Sequence, residues 1–222
     1  MKHYIIIDLE MNPVADEYKK EKNICRNEII EIGAVIMNEA FEVLGDFKTL
    51  VKPQYNTSIY KKYEALTGIT TQMVSSAPTF ATAYEMFVNW CDSYGNYEIF
   101  AWSDNDYKQI VAEMQLKNYL NSDFMAPLSK WYDFQKEYKE TLGLERIMSL
   151  EKALDYAGIT FEGRMHDALW DARNTAELFA IVRNKERCNS VLKAVIDVLK
   201  PKNTCNTLGD FFDFSALRAQ LA

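Results

Sequence analysis

The sequence predicts an α/β domain built on a mixed sheet, and three observations carry that prediction. The apolar run Tyr4-Ile5-Ile6-Ile7 leads into Asp8-Leu9-Glu10 and reads as a buried N-terminal strand. Two more strand patterns, Glu28 to Met37 and Phe41 to Val51, follow over short connections that favour an antiparallel meander. From Ser58 onward helical spacing takes over and alternates with two further short strand patterns, the arrangement of a sheet flanked by helices.

The first strand is the most informative. Side chains alternate across a strand, so Asp8 and Glu10 share one side while Ile7 and Leu9 take the other. Two carboxylates then converge at the end of a strand whose packing gives no reason for them. They are either the solvated end of an ordinary strand or a pair that needs a cation, and a hard divalent metal would offset their desolvation.

Between the first two strands, residues 12–27 are charged, with Lys19, Lys20 and Lys22 among acids, and read as a loop or a ragged helix end. Glu31 in the second strand is expected at an edge or supporting the site rather than binding a metal. Pro53 closes the third strand. Leu66-Thr67-Gly68-Ile69-Thr70 is a turn, and Ser76 or Thr79 starts the next helix, with Phe80, Ala83, Tyr84, Phe87 and Trp90 or Cys91 as its core stripe. Gly95 ends that helix. Tyr97 to Trp102 is a buried strand, and a helix follows through Ile110 and Met114 towards Leu120. Asp104 is read as its N-cap. Asp106 is one step further in, on the face of Ile110 and nearer the strand end.

Trp131 to Phe134 reads as a short fifth strand. Ser149 caps a helix that Gly158 stops. A longer helix runs to about Arg183, with Ala168, Ala172, Thr175, Leu178, Phe179 and Val182 on one face. Asp171 falls on that same packing face, where a carboxylate is costly unless satisfied. His166 is five residues earlier, about 140° away in a regular helix, so the two face one site only if His166 lies in the preceding loop. A lone histidine there is more often a surface or capping residue. The chain has just two histidines, His3 and His166, so a histidine base has few candidates.

The length suits one domain, residues 1–186, with a C-terminal helical extension, residues 187–222, packed on it. That extension carries an amphipathic helix at Val191 to Leu199 and a second segment, Leu208 to Leu221, with Phe211, Phe212 and Phe214; it is also the place for a protein partner or self-association. No apolar run is long enough to span a bilayer, and a soluble, cytoplasmic protein is expected. Cys25, Cys91, Cys188 and Cys205 are widely spaced, form no Cys-x-x-Cys pair, and read as reduced. The net charge of −7 argues against tight non-specific binding to long nucleic acid. It is compatible with a short or single-stranded end held mostly through metals, since four of the acids would then be neutralised.

The Asp-x-Glu strand, the strand–acid–helix segment ending in Asn105-Asp106, and His166 followed five residues later by Asp171 come in an order that resembles the DEDDh branch of the DEDD superfamily of 3′→5′ exonucleases. The resemblance runs from about Tyr4 to Ile181 and includes Glu28 to Val35, the Leu66 turn and the spacing to Pro78 and Phe80. It implies an RNase H-like fold with a five-stranded mixed sheet. It also implies that Asp8, Glu10, Asp106 and Asp171 hold two divalent ions, Mg²⁺ or Mn²⁺, with His166 as general base. Met11 stands where the family commonly has Thr. Trp102-Ser103-Asp104-Asn105-Asp106 lacks the His-Asn opening of replicative proofreaders and looks more like the Eri-type and KapD-like exonucleases, many of which act on RNA. The implied substrate is therefore a single-stranded 3′ end, RNA in preference to DNA, with nucleoside 5′-monophosphates released. By the same resemblance Leu9, Met11 and Leu66 contact the terminal nucleotide. Trp102 for stacking and Arg164 for a phosphate are added from residue type alone. Two other readings remain open: a metal-dependent phosphodiesterase confined to dinucleotides or short oligonucleotides, and a catalytically idle RNase H-like binding module.

Overall fold

The computed structural model describes residues 1–120 and 125–199. Five strands form one sheet in the order β3-β2-β1-β4-β5: β1 (His3–Pro13), β2 (Asn27–Met37), β3 (Val43–Leu50), β4 (Tyr97–Ala101) and β5 (Trp131–Asp133). The first three strands are an antiparallel meander, while β4 runs parallel to β1 and β5 parallel to β4. β1 is thus the central strand and the place where the sheet changes from antiparallel to parallel. Its pairing with β4 ends at Ile7↔Ala101, whereas its pairing with β2 continues to Pro13, with a register shift after Glu10. From Asp8 onward, more than half of β1 therefore has one open flank.

Nine helices are described: α1 (Lys19–Ile24), α2 (Lys61–Thr67), α3 (Thr71–Ser75), α4 (Phe80–Asp92), α5 (Asn105–Leu116), α6 (Phe134–Leu142), α7 (Leu150–Tyr156), α8 (Ala168–Arg183) and α9 (Lys185–Leu199). A 3₁₀ turn, Ala126–Lys130, precedes β5. The alternation along β1 sorts the core into two layers. Ile5, Ile7 and Leu9 pack with Phe80, Ala83, Tyr84 and Phe87 of α4 and with Ile110 and Met114 of α5. On the opposite face Ile6 packs with Phe100 of β4, with α6 and α7, and with Phe179 of α8. Asp8 and Glu10 continue the Ile6 side, so they face the layer that contains α8.

The predicted elements appear with four differences. The helix after β4 stops at Leu116, where Asn118 takes a left-handed φ of 57°, and Leu120 lies exposed beyond it. Asp104 occupies the N-cap position of α5, but its carboxylate pairs with Lys108 Nζ at 2.6 Å instead of capping. The fifth strand ends at Asp133, because that side chain accepts the Lys136 N–H at 2.9 Å and starts α6, a helix the sequence reading did not anticipate. The C-terminal helix begins at Lys185, not near Val191, and buries Cys188 and Leu192 against the α8 layer. Leu208 to Leu221, with its three phenylalanines, and Cys205 lie outside the described residues. No described helix is long and apolar enough to cross a membrane.

Gly33 of β2 pairs with Asp8 in register and meets α8 where that helix begins. A Cβ at Gly33 would fall 2.2 Å from Ala168 C and Leu169 N, so the backbone of α8 lies directly on the sheet there. Gly33→Ala is expected to cost about 3 kcal/mol of stability, because helix backbone cannot rotate away as a side chain can. A urea melt checks this: an unchanged midpoint would show that α8 can lift off the sheet at little cost.

Candidate active site

Three elements bring acids together at the open flank of β1. Asp8 and Glu10 come from alternate positions of the strand, and Asp171 comes from the first turn of α8, which Gly33 lets down onto the sheet. One carboxylate oxygen from each of the three lies within 4.8 Å of the others. Asp8 and Asp171 are half-buried and Glu10 is buried. Asp171 Oδ2 is itself buried without a hydrogen-bond partner.

Asp106 is buried in the first turn of α5. It lies outside that close trio, yet its charge raises both Asp8 and Glu10. It reaches this position because β4 ends early, and the Leu9 backbone N–H, turned to the open flank, partly offsets its burial.

The electrostatics follow from this crowding. Burial pushes Asp8 well above the usual carboxylate range, reinforced by the charges of Asp106, Asp171 and Glu10. Glu10 is pushed up to about 8, first by burial and then by Asp171 and Glu31. Burial takes Asp106 to about 7 and raises Asp171. A cluster of acids that resist ionising one another is a poor structural device and a good cation site. Its donors are all oxygens, which fits a hard divalent ion, and the unpartnered Asp171 Oδ2 is a ready ligand atom.

Glu31 pairs with Glu10 across the strands, and two like charges opposite each other need an offset. Glu31 accepts the Ala168 N–H at 3.0 Å and lies 3.3 Å from Lys48 Nζ, so it holds the start of α8. Lys48 also binds Asp167 Oδ2 at 2.6 Å, and Asp167 Oδ1 accepts the N–H groups of Leu169 and Trp170 as the helix N-cap. Sequence reading passed over Lys48, Asp167 and Asn174. Asp167 was legible as an acid just before a helix, and Asn174 as a polar residue on the packing face three after Asp171.

His166 lies in the turn before α8, outside the helix, with a left-handed φ of 61° and an exposed side chain. Its backbone hydrogen bond to Asp171 and its nearby charge hold down that group's rise. Leu66 is exposed at the end of α2, Met11 is half-buried beyond the acids, and the Leu9 side chain belongs to the core. Two expected contacts are placed differently. The Trp102 ring is buried against Phe134 and Tyr138, with centroids 5.6 and 5.5 Å away, and a ring so enclosed has no free face for a base. The Arg164 guanidinium donates to the carbonyls of Ala65 and Leu66 at 3.1 and 3.3 Å.

Comparison with known proteins follows the same boundaries. The chain is 29% identical over 198 residues to ERI1 exoribonuclease 2 of Xenopus laevis, a match covering 79% of this chain and 28% of that protein, so it spans less than a third of that relative's length. It is 26% identical over 183 residues to the probable 3′-5′ exonuclease KapD of Bacillus subtilis (strain 168), covering 82% of this chain and 85% of that one. The crystal structure of the nuclease domain of 3′hExo, described as a DEDDh family member and bound to rAMP, superposes with a TM-score of 0.72 at 25% identity, over 82% of this chain and 92% of that domain. The family model for exonucleases of the RNase_T type matches residues 5–179, from the first buried residue of β1 to the core of α8, and the chain belongs to that exonuclease family.

Proposed function

We propose that this protein is a metal-dependent 3′→5′ exonuclease that removes nucleotides from single-stranded ends, RNA in preference to DNA. The observation that carries the reading is the convergence of Asp8, Glu10 and Asp171 beside the His166 turn, with Asp171 Oδ2 buried and unpartnered. The RNA preference draws support from the relatives, two of which carry exoribonuclease in their names or are described with rAMP bound.

In this reading Asp8, Glu10 and Asp171 would hold one Mg²⁺ or Mn²⁺, and Asp8 with Asp106 would serve a second. When bound, the two ions supply charge neutralisation for the phosphate and acidify the attacking water. The remaining work belongs to the chain. His166 takes the water's proton at a ring nitrogen, which its exposed turn leaves accessible. The backbone of Leu9 to Met11 and the exposed Leu66 seat the terminal nucleotide, so that the scissile phosphate meets the carboxylates. A nucleoside 5′-monophosphate leaves. Three described cysteines, Cys25, Cys91 and Cys188, are buried and unpaired, which suits the reducing cytoplasm.

A time course on matched 5′-labelled RNA and DNA oligonucleotides with Mg²⁺ or Mn²⁺, with Asp8→Ala as control, tests the activity. A ladder shortening one nucleotide at a time, faster on RNA and absent in the variant, is expected. Cleavage confined to dinucleotides would replace this reading with the small-substrate phosphodiesterase, and no cleavage with an idle module. His166→Ala is expected to lower kcat about 10³-fold while Mn²⁺ still binds by calorimetry, and near-full activity would remove His166 from the base role.

The carboxylates also predict a pH effect. Folded, metal-free protein keeps protons on Glu10 and Asp106 that the unfolded chain has already released, so its stability falls as pH rises from the usual 4.5 of a glutamate through about 8. Divalent ions bind the ionised forms, so Mn²⁺ should raise the melting temperature more at about pH 9 than at about pH 5. An equal shift at both would place the ion elsewhere.

A further inference from the structure

The turn that carries His166 is tied down on both sides by contacts that the chemistry itself does not use. Before it, the buried Asn174 amide grips the Glu162 backbone twice: Oδ1 accepts its N–H at 2.9 Å and Nδ2 donates to its carbonyl at 2.9 Å. The same Nδ2 donates to Trp170 O at 2.7 Å, anchoring the amide in α8. Gly163 then lies under the Trp170 ring, where a Cβ would come within 2.1 Å.

Arg164 reaches across to the end of α2 and donates to Ala65 O and Leu66 O. Its guanidinium packs so closely on Gly68 that a Cβ there would come within 1.8 Å, and Gly68 holds a φ of 77°. After His166, Asp167 caps α8 and binds Lys48.

His166 itself is exposed, so no packing of its ring enforces its left-handed backbone. A non-glycine residue persists there only when its neighbours over-determine it. An arginine at a helix C-terminus already has favourable acceptors and dipole, so the carbonyls of Ala65 and Leu66 give Arg164 a structural target rather than a phosphate.

We propose that Arg164 and Asn174 are positioning residues that act through His166: together they fix the turn so that the imidazole stands over the carboxylates, and Arg164 couples that turn to the Leu66 segment. This rests on reading His166 as the general base. The geometry makes Arg164 a strap between the base and the nucleotide seat, and Asn174 the anchor of its other end.

The test compares Arg164→Ala, Arg164→Lys and Asn174→Asp in the 222-residue chain, each with and without His166→Ala. Turnover of a 5′-labelled oligonucleotide at saturating Mn²⁺ is read beside Mn²⁺ calorimetry and hydrogen exchange across residues 160–168. Each variant is expected to lower kcat about tenfold or more with KM within about twofold, to leave Mn²⁺ binding unchanged, and to speed exchange from Glu162 to Asp167. No further loss is expected in the His166→Ala background. Arg164→Lys keeps the charge but not the two-carbonyl grip, and should resemble Arg164→Ala.

A salt-sensitive rise in KM with kcat preserved would make Arg164 a phosphate contact and overturn the proposal. Full additivity with His166→Ala, or unchanged exchange in the turn, would overturn it equally. An active His166→Ala single variant would instead sink the base reading, a result told apart because it needs no change at 164 or 174.

Discussion

The close contact between Gly33 and the first residues of α8 is the constraint on which the site depends. Gly33 stands opposite Asp8 in the β1–β2 ladder, so its missing side chain is missing on the side where the carboxylates point. That gap lets helix backbone rest on sheet backbone and sets the first turn of α8 beside β1. Asp171 is three residues past Ala168, one turn in, and so it arrives beside Asp8 and Glu10. Glu31, whose carboxylate accepts the Ala168 N–H, fixes the same point from the neighbouring position of β2. Packing and chemistry meet at one pair of residues.

The second feature is that the acids are held together against their own repulsion. Burial raises all four of Asp8, Glu10, Asp106 and Asp171, and the charges of the other acids raise Asp8 and Glu10 further. Lys48 bridges Glu31 and Asp167 and Asp167 caps α8, but one lysine against two carboxylates leaves a net negative charge, and Glu31 and Asp167 still raise Glu10. Two apolar layers, one around α4 and α5 and the other around α8, clamp β1 between them. The strain of unneutralised charge thus falls on groups that a cation would relieve, which is how a binding site differs from a structural ion pair. The family to which the chain belongs is one of exonucleases, and a DEDDh nuclease domain superposes on this fold.

Local patterns were legible where one physical rule dominated. Alternation along Tyr4 to Glu10 put both acids on one side, and the stripe of Phe80, Ala83, Tyr84 and Phe87 announced α4, whose buried residues are those four and Cys91. Asp171 stood out because a carboxylate on a packing face is costly. Where two rules competed, the reading failed. Asp133 and Phe134 satisfy a strand pattern with Trp131 and Tyr132, yet Asp133 caps a helix whose Phe134, Tyr138 and Leu142 recur at a spacing of four. Asp104 satisfies the cap preference, but an unoccupied lysine four residues on took its carboxylate. Trp102 offered a ring of the kind that stacks on bases, and only burial against Phe134 and Tyr138 assigns it to the core.

By itself the sequence determined the five strands, the helices built on clear apolar stripes and the antiparallel start of the sheet, and it singled out Asp8, Glu10 and Asp171 as carboxylates that packing alone does not explain. These follow from periodicity and desolvation, which act over a few residues and are written in the chain. Only the tertiary structure decided that β4 stops short of the end of β1, leaving the open flank that receives Asp106, and that α8 comes down at Gly33 to bring in Asp171. It alone decided that Arg164 turns to the end of α2 and that Asn174 holds Glu162. Those contacts join residues twelve to nearly a hundred positions apart, as in the Arg164–Ala65 separation of 99, and no local rule carries information over such a span. It takes the packed sheet to choose among the acceptors a long side chain can reach.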